Sequence, residues 1–338
     1  MIKYNNFKQL GSGRMGWRLT LFVAAFAGIG IITVILTRAA TPTANLEPEL
    51  GNVVSPATVV ASATASGGSA VKFQAPPASG GKPSAGNTGH TTPKADLTVV
   101  NGNMTITTNG TVVDGRYIKG FLIIRASNVT IRNTLVEGGV ASGNGAIIDI
   151  QSGTNILLDH VTVTVANPSV YLDGIWGDNL TGQYLDVSGS VDGMKLGSNS
   201  TIKNSYIHNM RFFSNDPNQG GGSTHNDAIQ ILEGTNILLE GNNMVMVASD
   251  NASVQITQDF GTVSNVTIQS NWMDGGGCTV NIAHKSQPLN NVFVYNNRFG
   301  RNTGFSGCAL LVSTQVNITQ SGNVYDDNNQ PISMQRHD

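Results

Sequence analysis

Charged and aromatic side chains are scarce in this chain. Lys, Arg, Asp and Glu make up 12% of the 338 residues and Phe, Trp and Tyr 6%, so solubility rests on Ser, Thr, Asn and Gln. There are two cysteines, Cys278 and Cys308. Two thiols are too few for a thiolate metal centre, and no His pair stands near them at ligand spacing. Basic charge is short where it would matter for nucleic acid: residues 96–338 hold 11 Lys plus Arg against 19 Asp plus Glu, a net of about −8. An acidic, aromatic-poor surface lacks the dense basic footprint that nucleic acid requires. No amphipathic helical pattern separates the short apolar runs of this region, which argues against a helical or α/β fold.

One long apolar run is present. Residues 1–18 carry Lys3, Lys8, Arg14 and Arg18 with no acid, and Leu19 to Thr37 then runs without a charge. At 1.5 Å per residue this stretch spans about 28 Å, the thickness of a bilayer core. Basic residues ahead of it place residues 1–18 in the cytoplasm and the rest of the chain outside. The span reads as a membrane anchor, or as a signal segment if the chain is cut near Ala39. Residues 38–95 are rich in Ala, Ser, Thr, Gly and Pro and read as a spacer. Within it, 46–73 alternates enough for two or three short strands. That stretch resembles the opening of a β-sandwich carbohydrate-binding module, but it is too short to close a sandwich core, so a hairpin is expected.

From about Asp96 onward one phrase recurs. Its fullest copy is THNDAIQILEGTNILLEGNNMVMV at 224–247, and degenerate copies begin near Ser127, Thr154, Ser198, Ser264 and Asn290. The turn residues are Asn128, Asn155, Asn179, Asn199, Asn236, Asn265 and Asn291, with Gln315 in the last copy, at intervals of 27, 24, 20, 37, 29, 26 and 24. Short strands at a period of about 25 predict a ladder of parallel strands stacked about 4.8 Å apart. Asn suits such a turn because it tolerates a left-handed backbone and can bond to the Asn above and below. Asn128, Asn179, Asn199, Asn265 and Asn317 also begin N-x-[ST] sequons, but the turn ladder already accounts for them. Val129, Ile156, Ile237, Val266 and Val292 are the expected interior column.

The HNDAIQI strand followed by the GxNxxIxxN phrase resembles the right-handed parallel β-helix superfamily of pectate-lyase-like proteins, over roughly 96–335. The resemblance implies an all-β, right-handed β-helix of about eight or nine turns and a polysaccharide as partner. No counterpart of the polygalacturonase Asp-Asp, Gly-His-Gly and Arg-x-Lys set is present, nor of the Arg-x-Pro-x-x-Arg of common pectate lyases, so the resemblance names no reaction.

Aligning CTVNI at 278–282 with CALLV at 308–312 puts both cysteines at the start of the same strand in consecutive repeats. About 5 Å apart in an oxidising exterior, they are either a disulfide or two packed thiols.

Function is expected where the repeat is most distorted. The interval between Asn199 and Asn236 is the longest, and its excess is the 211–224 loop, bracketed by His208, Arg211, His225 and Asp227. Asp173, Asp192 and Asp227 start the same strand in three successive repeats. Stacked carboxylates must take up a proton, bond strongly or share a cation, so Asp173 and Asp192 are candidate ligands for calcium; equally, Asp is a good residue for starting a strand. Three positions along, Trp176, Lys195, Gln230, Gln255 and Asn281 form an outward face with an aromatic platform, amides and an ammonium, suited to sugar. Three functions follow. A lyase would use Lys195 or His225 as base; a glycoside hydrolase would use two of the three Asp residues; a surface adhesin or envelope protein would only bind glycan.

Overall fold

Two left-handed residues per repeat set the shape of the domain. The computed structural model describes residues 57–61, 66–73 and 81–337. In it Asn128, Asn155, Asn179, Asn199, Asn236, Asn265 and Asn291 all lie at φ 53–61°. Their amides form the expected exterior ladder: Asn155 donates to Asn128 at 2.8 Å, Asn199 to Asn179 at 3.0 Å, Asn236 to Asn199 at 3.2 Å and Asn291 to Asn265 at 2.9 Å. A second left-handed residue follows five positions later, at Asn133, His160, Tyr184, Asn204, Ser270 and Asn296, with φ 46–56°. It bends the chain between two short strands, as between Gly234–Glu240 and Asn243–Val245.

The strands so delimited form parallel sheets stacked in chain order. Ten of them make one sheet: Met104–Ile106, Leu122–Arg125, Gly145–Ser152, Leu172–Gly177, Met194–Leu196, Asp227–Ile231, Ala252–Ile256, Val280–Ile282, Leu310–Ser313 and Met334–His337, each beside the next. The bent strands form a second parallel sheet in the same order. The fold is therefore all-β with parallel sheets, compatible with a β-helix-like solenoid. It has ten strands in the first sheet where eight or nine turns were expected. The early repeats escape a count based on Asn: Gly110, paired in register with Asn128 through Val112 opposite Thr130, takes the left-handed turn at φ 77° with no side chain to mark it.

The core lies between the sheets. Val129, Ile156, Ile237, Val266 and Val292 are all buried, as the pattern predicts, in one continuous apolar cluster that runs from Ile106 to Val316. Within it stands a polar column that the repeat phrase contained but its apolar spacing did not explain. The Asn six residues after the turn Asn in the later copies, at 242, 271 and 297, and Asn323 in the last copy are buried. Asn271 Oδ1 accepts from the Asn242 backbone N–H at 2.9 Å, Asn297 Oδ1 from that of Asn271 at 3.0 Å, and Asn323 Oδ1 from that of Asn297 at 3.1 Å. Their amide nitrogens donate inward to the carbonyls of Ile202, Leu239, Ile268 and Val294. Backbone groups freed by the second bend are thereby satisfied where water is excluded.

Cys278 and Cys308 are disulfide-bonded, with Cα atoms 4.7 Å apart. The following residues, Val280 and Leu310, are register partners, which brings the two cysteines side by side.

The chain divides into units 1–74 and 75–338. The described part of the first is an antiparallel pair, Ala57–Ala61 with Ser69–Phe73, which is the expected hairpin. The span at 19–37 lies outside the described residues, and among those described no helix is long and apolar enough to cross a membrane. The spacer composition continues to residue 95, yet residues 81–96 lie along the outside of the bent sheet. Asn243 donates to the Pro83 carbonyl at 2.8 Å, Gly89 N–H to Tyr184 O at 2.8 Å, His90 N–H to Thr162 Oγ1 at 3.0 Å, and Thr91 and Thr92 N–H to Asn133 Oδ1 at 2.9 and 3.0 Å. Lys94 pairs with Glu137. Polar side chains of the sheet, rather than apolar burial, fix this strap, so composition carries no sign of it. At Gly89, φ 73°, an added Cβ would lie 2.3 Å from Thr162 Oγ1.

Two outcomes are expected from this architecture. Asn271→Ala leaves a buried N–H and a buried carbonyl unpaired at about 1–3 kcal/mol each, and in urea denaturation it should cost several times more than Asn265→Ala on the exposed ladder. Equal losses would remove the inner column from its structural role. Opening the Cys278–Cys308 bond, which closes a 30-residue separation, should lower stability by about 3–4 kcal/mol, and unreduced protein should show no alkylatable thiol by mass spectrometry.

Candidate functional site

The outward face of the ten-stranded sheet forms the floor of a groove of about 1070 Å³. Register places its residues one per strand: Trp176 opposite Lys195, Lys195 opposite Gln230, Gln230 opposite Gln255, and Gln255 opposite Asn281. This is the column read from the sequence, and all five residues line the groove. One wall stands at the strand starts and includes Tyr171, Asp216, Asn218 and His225; the other stands at the strand ends and includes Asp178, Glu233, Asp259, Phe260 and Lys285.

The long insertion builds the first wall. Its base is closed by Thr224 N–H to Phe213 O at 2.9 Å and Phe213 N–H to Thr224 Oγ1 at 2.9 Å. Its tip is a single 3-10 turn, Pro217–Gln219, capped by Asp216, whose Oδ1 accepts from Asn218 N–H at 2.8 Å. Asn218 and Asn144 then exchange amide hydrogen bonds at 3.0 and 3.2 Å, tying the tip to the loop before Gly145–Ser152.

Beneath this wall the three aspartates stack as expected, and each uses its two oxygens differently. Asp173 Oδ1 accepts from Asp192 N–H at 3.0 Å, Asp192 Oδ1 from Asp227 N–H at 2.8 Å, and Asp227 Oδ1 from Asn251 Nδ2 at 2.8 Å. These are strand-start bonds that hold consecutive repeats in register. The Oδ2 atoms turn to the floor. Asp173 Oδ2 accepts from Trp176 Nε1 at 2.7 Å and Lys195 Nζ at 2.5 Å; Asp192 Oδ2 lies 3.0 Å from the same ammonium; Asp227 Oδ2 accepts from Gln230 Nε2 at 3.1 Å. Lys195 Nζ also stands 5.3 Å from the Trp176 ring centroid, within cation–π range.

One ammonium serves two buried carboxylates, and the proton balance reflects it. Burial first, and then the Asp173 charge, push Asp192 up to about 7 against the pull of Lys195. Burial and the Asp192 charge raise Asp227 well above the ordinary carboxylate range. Burial opposes the Lys195 charge, but Asp192 and Asp173 outweigh it and hold the amine above its ordinary value. As an ammonium, Lys195 can hold a hydroxyl or a carboxylate, but it has no lone pair with which to remove a proton. It pairs with both Asp173 and Asp192, the two candidate calcium ligands. Among the described residues no group of three or more His, Cys, Asp and Glu is arranged to hold a metal.

The structure brings together Asp173, Trp176, Asp192, Lys195, His225, Gln230, Gln255 and Asn281, with Asp227 buried just below them. It does not bring His208 and Arg211 to the groove. His208 lies in the bent sheet, bonded to Asp186 at 2.9 Å and stacked on Tyr206. The Arg211 guanidinium lies 5.9 Å from the Phe213 ring centroid. Nearness in sequence to the loop did not carry either side chain around the bend between sheets. Sequence reasoning missed the far wall. Its signal was present as the polar residues after successive strand ends, Asp178, Glu233 and Asp259. No family model, curated protein or solved structure matches the chain.

The raised Asp192 and Asp227 bind more protons folded than unfolded, so the sign of linkage is fixed: the stability held by protonated Asp192 is lost as pH rises from roughly 4 to about 7, and Asp227 acts in the same direction. The thermal midpoint of Asp192→Asn, whose side-chain oxygen still accepts from Asp227, should therefore gain on the wild type across that window. A constant offset between the two proteins from pH 4 to 8 would contradict the shift.

Proposed function

We propose that this chain is a right-handed parallel β-helix protein held outside the cytoplasm by residues 19–37, and that its groove binds an extended polysaccharide. The observation that carries this reading is the floor itself: an indole, an ammonium and three amides stand in register on consecutive parallel strands, about 4.8 Å apart. A polymer lying along the stacking direction meets a donor or acceptor at each strand, and Trp176 gives an apolar surface for a sugar ring. The fold alone would not license this, since parallel ladders serve many purposes.

Binding without cleavage, as in an adhesin or envelope protein, is the favoured form. Every oxygen of Asp173 and Asp192 is engaged by a donor of the protein itself, which leaves no idle acid or base. Hydrolysis is the second reading, favoured by one observation: burial and the Asp173 charge push Asp192 up to about 7, the range in which a glycosidase's general acid works. A lyase has less support, because Lys195 is held charged and of the two candidate bases His225 alone remains on the groove wall.

Purified protein tested against acidic and neutral polysaccharides by affinity electrophoresis should be retarded by at least one. Trp176→Ala should weaken retention by roughly tenfold, about 1.4 kcal/mol, and Trp176→Phe should restore most of it. Release of reducing ends, abolished in Asp192→Asn, would move the assignment to hydrolase. Retention unaffected by Trp176→Ala would remove the floor from the reading.

A further inference from the structure

The charges lining the groove are not balanced, and the imbalance identifies a class of ligand. Both lysines are spent internally: Lys195 on Asp173 and Asp192, and Lys285 on Asp259 at 3.5 Å. Two exposed carboxylates that line one wall of the groove, Asp178 and Glu233, form no ion pair among the described residues. The polar floor adds an unmet acceptor. Asn281 Oδ1 is shielded from solvent and has no hydrogen-bond partner, although its strand is otherwise fully paired on both sides. An acceptor buried without a donor costs free energy unless something supplies one.

Resting on the glycan-binding reading above, we propose that the groove is selective for a polysaccharide bearing free amino groups, a de-N-acetylated amino-sugar polymer, with ammonium groups directed to Glu233 and Asp178 and a donor directed to Asn281. A polyuronate is disfavoured by the same wall. The exposed carboxylates of that wall repel an anion, and no unpaired Lys or Arg of the lining offsets this. A neutral glycan could use the indole and the amides but would leave the wall carboxylates without counter-charge. A cationic peptide would satisfy the wall but has no ring to lay on Trp176, and this separates the two cationic ligands.

Calorimetric titration of the full-length protein at about pH 6, where an amine is protonated, would use four probes: hexaglucosamine, hexa-N-acetylglucosamine, hexagalacturonate and hexalysine. Hexaglucosamine should bind roughly tenfold or more tighter than its N-acetylated form. The advantage should shrink with added salt and in the Glu233→Gln, Asp178→Asn double variant, whose side chains sit at the rim and leave the floor intact. Trp176→Ala should weaken hexaglucosamine and leave hexalysine unchanged. Equal or tighter binding of the N-acetylated or uronate oligomer overturns the charge inference while leaving the groove a glycan site. Hexalysine matching hexaglucosamine, with no effect of Trp176→Ala on either, overturns it in favour of a general polycation surface. Absence of binding by all three saccharides overturns the glycan reading and the inference with it.

Discussion

A side-chain oxygen that accepts a backbone N–H from the neighbouring repeat is the interaction on which this domain depends. It occurs on two columns and in opposite directions. In the core, each Asn from 271 to 323 reaches back to the N–H of the Asn one repeat earlier. At the starts of the sheet strands, Asp173 and Asp192 each reach forward to the N–H of the Asp one repeat later. Both columns require in-register stacking, because a slip by one residue would turn each acceptor to the other face of its strand. Apolar columns of Ile, Val and Leu supply most of the burial, but they are nearly interchangeable and choose register only weakly. The polar columns choose it.

The same requirement shapes the electrostatics of the groove. Stacking Asp at a strand start puts carboxyl groups one strand spacing apart in a place that excludes water, and their repulsion must be relieved. Lys195 relieves it between Asp173 and Asp192. At Asp227 the relief comes from the Asn251 and Gln230 amides and a raised pKa. A device that fixes register thus also fixes the position of Lys195 and, through Asp173, of the Trp176 indole. The floor of the groove is preorganised by bonds that exist for another reason.

Much of this was legible in the sequence, and the parts that were not share a cause. The period of the turn Asn gave the parallel ladder, the interior column and the outward floor, since each follows from counting along a strand of period two. Cys278 and Cys308 aligned by the same counting. The count of strands fell short where Gly110 replaced an Asn. His160, Tyr184 and Ser270 occupy left-handed corners with no residue type to announce them. His208 and Arg211 were misplaced relative to the groove because a bend between sheets lies between them and it. The walls and the 81–96 strap depend on contacts between distant repeats, as in Thr91 with Asn133 or Asn144 with Asn218, and no local pattern encodes those.

The strap has a mechanical consequence. In a stack whose repeats touch only their neighbours, the end repeats can fray one at a time. Residues 83–94 bond in turn to Asn243, Tyr184, Thr162, Asn133 and Glu137, so that one segment is fastened to several repeats along the stack. The strap starts at Lys82, whose ammonium lies 3.6 Å from Asp326 in the last repeat, and runs back past Asn243 to the early repeats. Tension arriving through the segment before Lys82 would load these bonds along the stack in sequence, and the strap would have to peel away before the first repeat felt any pull.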